Sequence, residues 1–123
     1  MNGFPPDRAT TALLVIDMQR DFLDPRGYAA KAGLDIELLR VAIPGVARIL
    51  AAARKAGLLI VHTREANAPD LSDVPPAFLD ATARTGAPVG SPGPLGRLLI
   101  RGEPGAGIVD ELAPHDGEIV IDK

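Results

Sequence analysis

Residues 12–16 read ALLVI, five apolar side chains in succession. Strict alternation would mark a strand with one wet face. An unbroken run predicts a strand covered on both faces, as in a parallel sheet flanked by helices. Two further runs fit the same pattern, LLIVH at 58–62 and EIVID at 118–122. Between the first two, Val46, Ile49, Leu50 and Ala53 recur at helical spacing, and Arg48, Arg54 and Lys55 mark the opposite face. Pro44 fits the first turn of that helix, and Gly57 fits the position just past its end. Asp35 is placed to cap a shorter helical stretch over about 36–43. Strand, helix, strand within about 50 residues predicts a right-handed βαβ unit.

The expected fold class is therefore α/β, a Rossmann-like parallel sheet with flanking helices. DPRG at 24–27 and PHDGE at 114–118 read as turns, and GIVDEL at 107–112 as a short helix. Residues 66–105 differ from the rest, with seven Pro and six Gly. A stretch so long and irregular predicts a lid over a site or a disordered segment. Three strands leave a long apolar sheet edge bare, which invites aggregation. The chain is accordingly expected to be the first part of a larger domain.

With 123 residues, the chain has the length of one small domain. A net charge of −3 offers no basic surface, so neither nucleic acid nor an anionic membrane is expected as a partner. The N-terminal MNGFPPDRATT lacks a cationic stretch followed by an apolar one, and no apolar run approaches the roughly 18 residues of a spanning helix. A cytoplasmic location is the expectation. The absence of Cys excludes disulfides, thiolate metal sites and a thiol nucleophile within residues 1–123.

Ligands of open parallel sheets sit outside the carboxyl ends of the strands. The residues expected there are Asp17, His62 and Lys123, with the loops that follow them. Each has a plainer reading. Asp17 can cap a turn, Lys123 can be a solvated strand end, and His62 can be a hydrogen-bonded structural residue. Arg64 and Glu65 can be a surface ion pair. Spacing alone therefore stops at an α/β domain with an Asp–Lys candidate. The turn after the first strand, DMQRDF, carries no G-x-G-x-x-G, which argues against a dinucleotide site.

The wording of the motifs goes further. LLVIDMQRDF, LLIVHTRE, GRLLIRGEPG and IVIDK, in this order, resemble the isochorismatase-like cysteine hydrolases. HTREANAPDLSD, GSPGPLGRLLIRGEPG and GEIVIDK are similar to the biuret amidohydrolases within that superfamily. The resemblance implies a six-stranded sheet, of which three strands are present here, and a triad of Asp, Lys and Cys. Asp17 matches the Asp after the first strand and Lys123 the Lys after the third. The Cys is implied at a helix N-terminus beyond a fourth strand, past Lys123, so residues 1–123 alone are expected to be inactive and poorly stable.

The resemblance also implies a mechanism. Asp17 would take the thiol proton, and Lys123 would stabilise the thiolate. Attack on a carbonyl carbon would then give a thioester that water hydrolyses. A small ureide is the implied substrate, with biuret giving allophanate and ammonia. Triuret, ureidoacrylate or isochorismate are alternatives, as is a non-catalytic module of the same fold. Gln19 and Phe22 are expected either to bind a planar ureide or to serve packing and backbone bonding. Arg64 and Glu65 would line the same mouth or brace the lid. Nicotinamidase relatives place an Asp and two His on a metal in this region. HTREANAPD has one His and no such cluster, so no metal or other cofactor is expected. A homo-oligomer, dimer or tetramer, is the partner expectation.

Overall fold

The computed structural model describes residues 6–123. The expectation about a leader sequence falls partly on residues 1–5, outside those described. The chain runs β1 (Ala12–Ile16), α1 (Arg20–Leu23), α2 (Tyr28–Lys31), α3 (Ile36–Arg40), α4 (Ala42–Ala56), β2 (Leu59–Arg64), α5 (Pro76–Arg84), β3 (Pro92–Gly93), β4 (Gly96–Arg97) and β5 (Ile119–Asp122). Two 3₁₀ turns occupy Pro104–Ala106 and Asp110–Leu112. β1, β2 and β5 form one parallel sheet in the order β1-β2-β5, the α/β arrangement expected. None of the described helices is long and apolar enough to cross a membrane.

Local signals explain the helix ends. The Asp35 carboxylate accepts the Leu38 N–H at the start of α3. Gly57 closes α4 at φ 70, where its N–H bonds the Ala53 and Arg54 carbonyls, a left-handed cap that suits glycine. Pro44 lies in the first turn of α4, where its missing N–H removes no intrahelical bond.

α4 covers one face of the sheet. Leu50, Ala53 and Ile43 pack there with Val15, Ile60, Ile108, Val109 and Leu112. The other face corrects the expectation that ALLVI is covered on both sides. Leu14 and Ile16 are 56% and 59% exposed, and Leu59, Ile119 and Ile121 are exposed beside them. The cause is the two-residue period of a strand. Leu13 and Val15 turn toward α4, while Leu14 and Ile16 turn to a face that no described element covers. β1 is also an edge strand, paired with β2 alone.

Residues 66–105 are more ordered than their composition predicts. Pro75 caps and Pro76 opens α5, a position that tolerates proline, and β3 and β4 form a small hairpin. Val74, Val89, Leu99 and Ile100 form a second core, joined by Phe22 and Tyr28 from the first layer. Thr82 is buried and links the two halves of this segment. Its hydroxyl lies within bonding distance of the Phe78 carbonyl and accepts the Val89 N–H. The helix expected over 107–112 is reduced to the turn at Asp110–Leu112, because Ile108 pairs with Gln19 as an isolated bridge.

β2 runs two residues beyond the LLIVH motif, which moves His62 from the strand end into its interior. His62 is fully buried, and its Nε2 lies 2.8 Å from Glu118 Oε2. Glu118 also receives Arg54 of α4 through both carboxylate oxygens, at 2.6 and 3.0 Å. The plainer reading of His62, a hydrogen-bonded structural residue, is the one observed. The trio fixes the entry to β5 against β2 and α4. The Arg54 hydrogen bond is the main reason the Glu118 carboxyl lies at about 2, below its ordinary 4.5. A carboxyl depressed in the folded state contributes stability above its unfolded value and loses it as pH falls through the folded one. Glu118→Gln should therefore lower the unfolding free energy by about 2 kcal/mol at neutral pH, with the deficit shrinking from about pH 4.5 towards 2. Denaturant titrations of both proteins across that range measure it, and a variant as stable as the parent at pH 7 would contradict the assignment.

Candidate active site

The carboxyl ends of three parallel strands open on one side of the sheet, and Asp17 and Lys123 meet there. The Lys123 ammonium donates to Asp17 Oδ2 at 2.8 Å, across 106 residues of sequence. Asp17 follows β1 at φ 54, a left-handed conformation that Asp adopts more readily than most residues. Its N–H bonds the Thr63 carbonyl, and the Thr63 hydroxyl donates to Asp17 Oδ1 at 2.7 Å. Each carboxylate oxygen therefore has its own donor. Thr63 was not among the residues singled out from sequence. Its signal is register alone, since Ile16 pairs with Thr63 and the next residue is Asp17.

Lys123 is held by the other side of β2. Its N–H bonds the Arg64 carbonyl, and its carbonyl accepts the Ala66 N–H. Arg64 makes no ion pair with Glu65. Its guanidinium grips Asp122 of β5 through two bonds of 2.6 and 3.0 Å. Asp122 also lies 3.5 Å from Arg101. Arg64 thus braces β5, and Asp122 links it to Arg101 of the 66–105 segment.

Gln19 serves the backbone rather than a ligand. The side chain is fully buried. Its Nε2 donates to the Glu65 and Ala106 carbonyls, both at 2.9 Å, and its Oε1 accepts the Glu65 N–H at 2.7 Å. With both amide protons committed and no exposure to solvent, Gln19 has no way to reach a substrate. The alternative of backbone bonding is the observed one. Asp21, which sequence reasoning also missed, acts similarly. Its buried carboxylate accepts the Tyr28 and Leu99 N–H groups. Burial raises the Asp21 carboxyl above its ordinary value, and the two N–H bonds work against that rise. Both residues lie in DMQRDF, where spacing shows polar side chains but not which backbone they will reach.

Phe22 and Glu65 face the mouth. With Asp17 and Met18 they line a cleft of about 480 Å³, whose far wall comes from Leu34, Leu39 and Ala42. That volume falls within the roughly 300–1,000 Å³ of small-ligand pockets. Residues 66–105 line none of it. They pack against Phe22 from behind and are tied to it through Asp21, which accepts the Leu99 N–H. The Phe22 ring meets Tyr28 edge-on at 5.9 Å, which fixes its plane. Burial raises the Glu65 carboxyl, Lys123 opposes the rise, and Asp17 and Asp21 add to it. No group of three His, Cys, Asp or Glu among the described residues is gathered as a metal site would need.

A family model described as the isochorismatase domain matches residues 11–123. The ureidoacrylate amidohydrolase RutB of Azorhizobium caulinodans is 33% identical over 121 residues, spanning 92% of this chain and 51% of that protein. The crystal structure of an isochorismatase family protein from Desulfovibrio vulgaris aligns with a TM-score of 0.66 at 34% identity, over 91% of this chain and 51% of the other. A cysteine hydrolase from Pseudomonas syringae shares the fold at a TM-score of 0.68 and 22% identity, over 98% of this chain and 49% of the other. The chain spans about half the length of these relatives.

The Gln19 clamp yields a stability prediction. Gln19→Leu leaves the Glu65 N–H and two carbonyls without partners, at about 1–3 kcal/mol for each buried group left unsatisfied. We expect a loss of at least about 2 kcal/mol in chemical denaturation. A loss below about 0.5 kcal/mol, the range of ordinary surface substitutions, would refute the clamp.

Proposed function

The chain belongs to the isochorismatase family, and on that premise we propose that it supplies the Asp–Lys half of the active site of a thiol-dependent amidohydrolase acting on a small ureide. The observation that carries the reading is the Asp17–Lys123 pair at 2.8 Å, fixed by Thr63 at the mouth of a parallel sheet. The described residues hold no thiol. The nucleophile would come from polypeptide outside residues 1–123, and these residues by themselves should not turn over substrate.

In this mechanism the Asp17 carboxylate accepts the thiol proton and the thiolate bonds to the ureide carbonyl carbon. A free thiol has a pKa of about 8.5, so activation by a base matters near neutrality. Lys123 lies beside Asp17 and offsets negative charge as the thiolate forms. N–H donors would hold the tetrahedral oxyanion, each worth about 10²–10³ in rate. Collapse breaks the C–N bond, and Asp17 returns its proton to the departing nitrogen. Water then attacks the thioester, again with Asp17 taking the proton, and the thiol is released.

Biuret, cleaved to allophanate and ammonia, is the substrate we propose. It is small and planar, as a cleft walled by Phe22 and aliphatic side chains suits. The second reading is ureidoacrylate, favoured by the identity to RutB. Assay of the complete protein against biuret, triuret, ureidoacrylate, isochorismate and nicotinamide decides among them. Turnover of isochorismate alone would overturn the amidohydrolase reading. Within the complete protein, Asp17→Asn should reduce kcat by at least about 10³ while leaving the melting temperature within a few degrees, because the amide keeps the shape but not the basicity. A variant with kcat within tenfold of the parent would remove Asp17 from the proton path.

A further inference from the structure

We propose that Glu65 is a specificity-determining residue: its carboxylate receives the N–H groups of a neutral ureide and turns away ureides that carry a carboxylate of their own. This rests on the amidohydrolase reading above and narrows it to one substrate class.

Four carboxylates surround the mouth, and three have donors. Asp17 has Thr63 and Lys123. Asp21 has two backbone N–H groups. Asp122 has Arg64 through both oxygens. The Glu65 side chain, half-buried in the wall of the cleft, makes no hydrogen bond and no ion pair among the described residues. Its backbone is nonetheless fixed on both sides by the Gln19 amide. A carboxylate partly withdrawn from water without a donor is in deficit, and burial is the largest influence on its protonation. A ligand bearing N–H donors supplies what is missing.

The charge balance points the same way. Asp17 and Glu65 line the cleft, and Lys123 beside them is already bonded to Asp17. Arg64, the next cation along β2, is turned to Asp122. An anionic ligand would therefore meet an unpaired carboxylate beside a cation already bonded to Asp17, and like charges at close quarters discriminate strongly between ligands. Biuret is neutral and carries N–H donors along its length. Ureidoacrylate offers N–H donors too, but brings a carboxylate of its own into the same cleft. The two differ in the property to which Glu65 responds.

The test uses the complete enzyme, with steady-state kinetics on biuret and ureidoacrylate. The parent should favour biuret in kcat/KM by at least about 10². Glu65→Gln keeps the length of the side chain and removes the charge. It should cut that ratio at least about tenfold, with the loss on biuret falling mainly in KM. Glu65→Asp keeps the charge but draws it back by one methylene, so it should hold the ratio within about threefold and raise KM for biuret. If Glu65→Gln fails to fold, the Glu65→Asp enzyme decides: a collapsed ratio or an unchanged KM overturns the proposal. A Glu65→Gln enzyme with the parental ratio also overturns it, as does a parent enzyme that prefers ureidoacrylate. In both of those cases the amidohydrolase reading stands. A parent enzyme that cleaves neither ureide ends both readings.

Discussion

The hydrogen-bonded register of β2 against its two neighbours determines what the mouth of this sheet contains. Ile16 pairs with Thr63 on one side, and Arg64 pairs with Asp122 on the other. Those two pairings place the residues that follow, Asp17 and Lys123, on either side of the end of β2. A one-residue slip of β1 would turn Val15 from the α4 face to the bare one and carry Asp17 away from the Thr63 hydroxyl. The apolar packing under α4 and the polar arrangement at the mouth therefore depend on one alignment. Glu118, bonded to His62 and Arg54, makes the corresponding slip of β5 costly.

Features that depend on near neighbours were legible in the sequence. The cap at Asp35, the left-handed close at Gly57 and the three apolar strands each depend on residues within a few positions, and each is found close to where it was read. The long-range features were legible only in part. Asp17 and Lys123 could be named because strand ends and motif resemblance both point to them. Thr63 could not, since its importance lies in a partner 46 positions away. Gln19 illustrates the limit more sharply. A polar side chain next to a candidate catalytic residue invites a substrate-binding role, yet its partners are the backbones of Glu65 and Ala106. α5 lies within the stretch whose Pro and Gly content predicts irregular structure, yet the Pro75–Pro76 pair counted there stands at a helix start.

The glycine-rich stretch behind the mouth shows why composition misled. Abundant Pro and Gly predict loops, and loops are predicted to move. At Asp21, close packing is instead the reason for a glycine at the end of this stretch and for another, Gly27, outside it. A Cβ on Gly105 would lie 2.5 Å from the buried Asp21 carboxylate, and one on Gly27 would lie 2.6 Å from the backbone of the Arg20–Asp21 turn. The small residues let three segments converge on Asp21, which then bonds the Leu99 N–H where that residue sits at φ 57. What reads as a flexible segment is a wall fitted around one carboxylate.

The same economy appears at Asp17. Left-handed backbone at a non-glycine residue costs on the order of 1 kcal/mol and persists where the surroundings fix it. The surroundings here are the Thr63 carbonyl and hydroxyl and the Lys123 ammonium. An ionised carboxylate has about four acceptor positions. One donor on each oxygen holds the plane of the group and leaves roughly half of that capacity open toward the cleft. The proton-accepting role proposed for Asp17 needs this combination, with its orientation fixed and a lone pair free. Had all of these positions been taken up by fixed protein donors, the residue would be a strut. Asp17 is pinned on one side and open on the other, and that distinguishes the residue at the end of the first strand from the buried polar groups around it.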